Sequence, residues 1–329
     1  MASKPLVCEL ENSRKKGMLD TPLASFAFNL FLPVLSVAIP TSWFLFQVKK
    51  LTSDEKSNSR APFSEKLIRP AGESLRLQID ELRSCFSDHF FDLAFFLLTP
   101  AIVAIALSSA NWLIALSATI LAAGICFIFI RKKWESIICL KTEIQNHQLG
   151  FHAERVVASE LEPLRAAGYQ VFHDIVDDTQ FEGGEKNFNI DHIVVGPEGV
   201  FIIETKGKSK VTPSPTSTLK EHELIFDGSE LLFPNGVKTK QPITQAKRNA
   251  DYVEKWLSSS VVGKLPCRAI VAYPGWYVKA RNGQLSGVQS AKGLANRIPS
   301  LGRGRKLTPH EVTAIAARIK DRCRNVDSF

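Results

Sequence analysis

The chain has 329 residues, 45% of them hydrophobic and 22% charged, with a formal net charge of +8. That length exceeds what one compact domain usually needs, and the mild basic excess suits an acidic partner, nucleic acid or an anionic membrane face. Six scattered cysteines without a CxxC pair or a His cluster exclude zinc-ribbon spacing and fit inert thiols in a reducing compartment.

Residues 1–20 read as an N-terminal tail. Thr21 to Val48 carries no charge, and its core, FAFNLFLPVLSVAIPTSWFLF, is long enough for one spanning helix of about 20 residues. Pro33 and Pro40 would kink it, which a bilayer tolerates where neighbouring helices re-satisfy the freed carbonyls. Residues 49–89 follow as a cytoplasmic linker helix in which Leu75, Ile79, Leu82 and Phe86 recur at helical spacing as a packing face. Leu93 to Ile130 is again uncharged and about twice a usual span. Ser108–Asn111 supplies a turn in its middle, so residues 90–130 are expected to form a transmembrane hairpin, with one long tilted helix as the alternative. Lys49, Lys50, Lys56 and Arg60 before the hairpin, and Arg131–Lys133 after it, place both flanks in the cytoplasm and the turn outside. Arg14, Lys15 and Lys16 argue against the matching orientation of the first span. No span carries an intramembrane charge, which points to anchoring rather than transport. The location expected is the inner (cytoplasmic) membrane, multi-pass.

Residues 131–146 read as a linker into a soluble half. A helix is expected from about Gln145 to Ala167, with Phe151, Val157, Ala158, Leu161 and Leu164 as its stripe and Gly168 as its stop. Tyr169–Val176 reads as a strand. FNIDHIVVGPEGVFIIETKG, Phe188 to Gly207, reads as two apolar strands joined at Pro197–Gly199. Thr212–Thr218 is a loop, ELIFDG and ELLFPNG a further hairpin, Pro242 to Leu257 a helix, and Cys267–Pro274 a strand. Thr308 and Pro309 open a last helix as N-cap and first helical residue. This alternation predicts an α/β domain with a mixed sheet.

The apolar strand pair carries charge where burial is expected. Strand alternation sends Glu204 and Lys206 to one face and Thr205 to the other. With ordinary hairpin register Asp191 sits beside Glu204. Two carboxylates at low dielectric raise each other's pKa, and a divalent cation removes that penalty. Glu154 falls in the apolar stripe of its helix and needs a partner. Gln245 and Asn249, one helical turn apart, could face the same cleft. The alternative is a structural salt bridge of Asp191 or Glu204 with Lys206. Residues 261–329 carry thirteen Lys/Arg against three Asp/Glu. A basic region beside an acidic centre suits phosphodiester chemistry; the alternative is a solvated or membrane-facing patch.

The segments GFHAERVVASEL, NIDHIVVGPEGVFIIETKGKSKV and QPITQAKRNADYV together resemble the NERD (nuclease-related) domain, over residues 147–275. That domain belongs to the PD-(D/E)XK, restriction endonuclease-like superfamily. LTPHEVTAIAARI resembles the helix that often closes such domains, within a basic extension at residues 276–329. The resemblance implies a mixed sheet flanked by helices and a nuclease that uses Mg²⁺ or Mn²⁺ to hydrolyse DNA. It implies Glu154, Asp191, Glu204, Lys206 and Gln245 as the catalytic set. Asp191, Glu204 and the Thr205 backbone carbonyl are then the metal ligands. Ala153 stands where the family more usually has Gly. A non-catalytic module that binds nucleic acid or protein at the membrane is the alternative function. A homodimer or another protein partner stays open.

Overall fold

In the computed structural model, residues 68–177, 188–258, 264–281, 287–302 and 304–323 are described. The first expected span, Thr21–Val48, lies outside them. The described chain forms two units: residues 84–141, and residues 68–83 together with 142–323.

The first unit is helical apart from one turn. Two helices run through it, α1 (Glu73–Ala106) and α2 (Trp112–Leu161). The break between them is local chemistry: the Asn111 side-chain oxygen accepts the Leu113 N–H at 3.0 Å and so caps α2. The pair is therefore a hairpin and not one long helix. Lys133 meets Asp92 at 2.7 Å, and Phe129 stacks on Phe96 with ring centroids 5.3 Å apart. Both helices are long and apolar enough to cross a membrane. Their apolar surface stays outside the protein, with Phe91 74% and Trp112 70% exposed. Residues 131–146, expected as a linker, are instead helical. Arg131 to Gln145 contains neither Gly nor Pro, so nothing breaks the helix begun at Trp112 before Leu161.

The second unit is built on strands. After a short helix, α3 (Pro163–Ala166), come β1 (Gln170–Asp177), β2 (Phe188–Gly196), β3 (Gly199–Thr205), β4 (Glu223–Phe226), β5 (Leu231–Leu232) and β6 (Lys238–Thr239). Helix α4 (Gln241–Leu257), strands β7 (Cys267–Tyr273), β8 (Tyr277–Ala280) and β9 (Val288–Ser290), and helices α5 (Leu294–Leu301) and α6 (Pro309–Arg322) complete it. One sheet has the order β1-β2-β3-β7-β9, antiparallel through β3 and parallel beyond; a smaller one has the order β6-β5-β4-β8.

Both faces of the larger sheet are covered, which is why β3 is apolar at nearly every position. Ile193, Val195, Val200 and Ile202 pack with Val253 and Leu257 of α4 and Ile315 and Ile319 of α6. Val194, Phe201 and Ile203 pack on the other face with Val157 and Leu161 of α2 and Leu294 and Ile298 of α5. Side chains buried to this degree contribute about 1.5–3 kcal/mol each. Helix α6 starts with Thr308 as N-cap, closed by a reciprocal capping box with Glu311.

One glycine sets how closely α2 approaches the end of β3. A Cβ on Gly207 would lie 2.8 Å from the Leu149 carbonyl oxygen and 3.1 Å from Ala153 Cβ. Ala153 is thus small for a reason: it passes over the residue that follows Lys206. Gly207→Ala is expected to push helix from strand and to destabilise the protein by about 1–3 kcal/mol. Thermal unfolding checks this, and an unchanged Tm would contradict it.

Candidate metal centre

The site lies where β2 and β3 stop pairing. Their ladder runs from Gly196↔Gly199 to His192↔Ile203, and one further step of that register sets Asp191 opposite Glu204. There the backbone ladder gives way: Asp191 Oδ2 accepts the Thr205 N–H at 2.7 Å. β3 meanwhile continues along β7, with the Lys206 N–H donating to the Ala272 carbonyl at 2.9 Å. Period-two alternation then gives Asp191 and Glu204 the face that carries Ile193 and Ile202, the face covered by α4.

Helix α4 supplies the partners. Asn249 is fully buried and donates from Nδ2 to Glu204 Oε2 at 3.0 Å. Lys206 Nζ donates to Glu204 Oε1 at 2.8 Å and to Gln245 Oε1 at 3.0 Å. Gln245 and Asn249 share one face because four residues separate them. Gln241, Thr244, Gln245 and Arg248 line an open cleft of about 470 Å³. The Lys206–Glu204 ion pair weighed in the sequence therefore forms, as one edge of a larger cluster.

Glu154 completes the acidic group from α2. It is buried, and one of its carboxylate oxygens (Oε2) has no hydrogen-bond partner among the described residues. Burial, then the charges of Asp174 and Glu204, push its pKa up to about 8. Burial also drives the Asp191 carboxyl well above its usual range, with Glu204 and Glu154 adding to the rise. Glu204 is raised by burial too, against the opposing pull of Lys206. Glu204 thus raises the proton affinity of both Asp191 and Glu154, as like charges in low dielectric do.

An all-oxygen donor set with surplus negative charge and one unpartnered carboxylate oxygen fits a hard divalent cation. Asp191, Glu204 and Glu154 are the acids that face one another electrostatically. Among the described residues no three His, Cys, Asp or Glu side chains converge as a ready-made cage. A Mg²⁺ ion asks for only one or two carboxylates, its shell being completed by carbonyl, water and substrate oxygens.

Behind the site the Thr205 hydroxyl points to the opposite face. It lies 3.0 Å from His192 Nε2, and His192 Nδ1 lies 2.9 Å from His173 Nδ1. Burial lowers the pKa of both rings, His173 to about 4, so near neutral pH the pair is uncharged. This chain escaped the sequence reading, which treated His192 as part of an apolar strand. The basic C-terminal stretch has internal partners: Arg297 donates to the Ser290 and Lys292 carbonyls, Arg305 pairs with Glu311, and Lys306 lies 3.9 Å from Glu198.

Architecture and site define a class: a mixed α/β sheet flanked by helices, a restriction endonuclease-like fold with acids gathered where its central strands part. Residues 149–274 match the model of the nuclease-related domain, NERD, and this part of the chain is a NERD domain. No curated protein and no solved structure matches the chain.

Glu154 makes the metal-free protein sensitive to pH. Its folded pKa of about 8 lies above the ordinary 4.5, so its contribution is fully present below pH ~4.5 and is lost as pH rises toward ~8. Asp191 and Glu204 act in the same direction. In EDTA the Tm is expected to fall between pH 5 and pH 8. Glu154→Gln should flatten that fall and raise the Tm at pH 8. A Tm that climbs over this range would contradict the burial of these acids.

Proposed function

We propose that this chain is a membrane-anchored, divalent-metal-dependent nuclease that hydrolyses DNA phosphodiester bonds on the cytoplasmic side. One observation carries the reading. Asp191 and Glu204 are buried on one face at the end of the β2–β3 ladder, beside a lysine that bridges Glu204 and Gln245.

Asp191, Glu204 and the Thr205 carbonyl would hold Mg²⁺ or Mn²⁺, which when bound supplies a Lewis acid for the phosphate and a water of lowered pKa. The remaining work falls to the chain itself. Lys206 presents an ammonium held from two sides, so it can stabilise charge developing on a phosphate oxygen without reorganising. Gln245 fixes that ammonium. Asn249 fixes the second oxygen of Glu204. Glu154, with a pKa near 8 and one oxygen unpartnered, can take or release a proton at physiological pH. The Asp191–Thr205 bond holds the end of β3. The two apolar helices would serve as the anchor, and the run of basic residues that flanks them supports the cytoplasmic orientation.

The test uses the full chain in detergent micelles with linear, circular and single-stranded DNA. Cleavage should require Mg²⁺ or Mn²⁺ and stop with EDTA. Asp191→Ala and Lys206→Ala should each lower it by about 10²- to 10³-fold or more while keeping the far-UV spectrum. Full activity in both variants would overturn the assignment. A second reading, a non-catalytic module that binds nucleic acid or protein, draws on the occupied state of Glu204, whose two oxygens are already held by Lys206 and Asn249. It predicts salt-dependent DNA binding without product.

A further inference from the structure

We propose that His192 and His173 are positioning residues of the candidate metal centre: a directed hydrogen-bond chain, from the Thr205 hydroxyl through His192 to His173, holds Thr205 from the face opposite the acids. The positioning role rests on the metal reading of the site; the direction of the chain does not.

These polar groups stand in an apolar layer. His192 and Thr205 are buried, and their face of the sheet is otherwise filled by Val194, Phe201 and Ile203. Register brings the rings together, since His173 pairs with His192 across β1 and β2. The rings meet edge to face, with planes 84° apart and centroids 5.1 Å apart, and the two Nδ1 atoms face each other at 2.9 Å. On its other side His192 Nε2 lies 3.0 Å from Thr205 Oγ1.

Two nitrogens at that distance share one proton, so each neutral ring carries a single N–H and two arrangements are open. In the first, the Thr205 hydroxyl donates to His192 Nε2 and His192 Nδ1–H donates to His173 Nδ1. His173 then carries its own proton on Nε2, an atom that is not shut off from solvent. In the reverse arrangement His173 Nδ1–H donates to His192, and His192 Nε2–H donates to Thr205 Oγ1. The Thr205 hydroxyl proton is then left inside the core without an acceptor among the described residues, a state that buried polar groups avoid. Only the first arrangement satisfies every donor.

The consequence for the centre is a residue held at two points. Thr205 gives its N–H to Asp191 at 2.7 Å and its hydroxyl to His192. The residue between Glu204 and Lys206, which also bears the carbonyl expected to ligate the metal, is thereby fixed from both faces of the sheet. His192 directly follows Asp191, so a pinned ring also steadies the backbone of that carboxylate. Groups that orient a ligand in this way govern metal affinity nearly as strongly as the ligand itself.

Nitrogen NMR of the full chain in micelles, isotope-labelled only at histidine, reads the direction of the chain without metal or substrate. His192 should show the Nδ1–H tautomer and His173 the Nε2–H tautomer, each assigned by its loss in a single-histidine variant. An Nε2–H tautomer at His192 would reverse the chain and overturn the assignment. Mn²⁺ binding, followed by electron paramagnetic resonance, tests positioning without reference to cleavage. Thr205→Val keeps the shape of the side chain and removes the hydroxyl; it should bind Mn²⁺ about tenfold more weakly. Thr205→Ser keeps the hydroxyl and should bind within about twofold of the wild type. His173→Leu removes the last acceptor at the partly exposed end, where folding is least at risk, and should weaken binding too. Wild-type affinity in folded Thr205→Val and His173→Leu would make the chain merely structural and overturn the positioning role. A wild-type protein that binds no Mn²⁺ would overturn that role together with the metal reading, and the ring spectra would still decide the direction of the chain.

Discussion

Where β2 and β3 part, the Thr205 N–H goes to a carboxylate instead of a neighbouring strand, and the rest of the centre follows from that exchange. Asp191 satisfies a buried donor that the ladder has abandoned, which a sheet interior requires of some group. β3 keeps its other neighbour, β7, and β2 stays paired with β1. Glu204 and Lys206, on either side of Thr205, then emerge toward α4, where Asn249 and Gln245 await them. Thr205 faces the other way and is held by His192. Each of these side chains owes its direction to strand alternation and its freedom to the end of the ladder.

The electrostatic balance of the centre is unfavourable as it stands. Asp191, Glu204 and Glu154 are all buried, Lys206 pairs with Glu204, and the charge of Arg248 also lowers the Glu204 pKa. Charged carboxylates in such surroundings must take up protons, be neutralised by cations, or destabilise the fold. A protein built only to be stable would have apolar side chains at these positions, as β3 has at Val200, Phe201, Ile202 and Ile203. The acids stand out at these positions because their neighbours are so well buried.

Much of this could be read from the chain. The strands of the larger sheet show in their apolar runs, and the turn at Pro197–Gly199 fixes the hairpin register that brings Asp191 to Glu204. Glu154 is legible as a carboxylate in an apolar stripe. Helix α2 was harder. Its first half is uniformly apolar and its second amphipathic, and the Arg131–Lys133 cluster reads as an end although no residue there stops a helix. Asp174 is an acid in an apolar strand, the same oddity that exposes Asp191, but its partner Arg69 stands 105 residues earlier. No local period links positions so far apart. The His173–His192 pair depends on strand pairing between β1 and β2, and only the register makes it visible.

The same separation governs how the protein is made. The apolar hairpin is not a leader placed before a finished domain. It interrupts one, because residues 68–83 belong with the chain from 142 onward. At about 5–20 residues per second, Asp174 leaves the ribosome some 5 to 20 s after Arg69. Both apolar helices emerge in that interval, while Arg69 waits without its partner. Closure of this unit therefore waits until both apolar helices have been made.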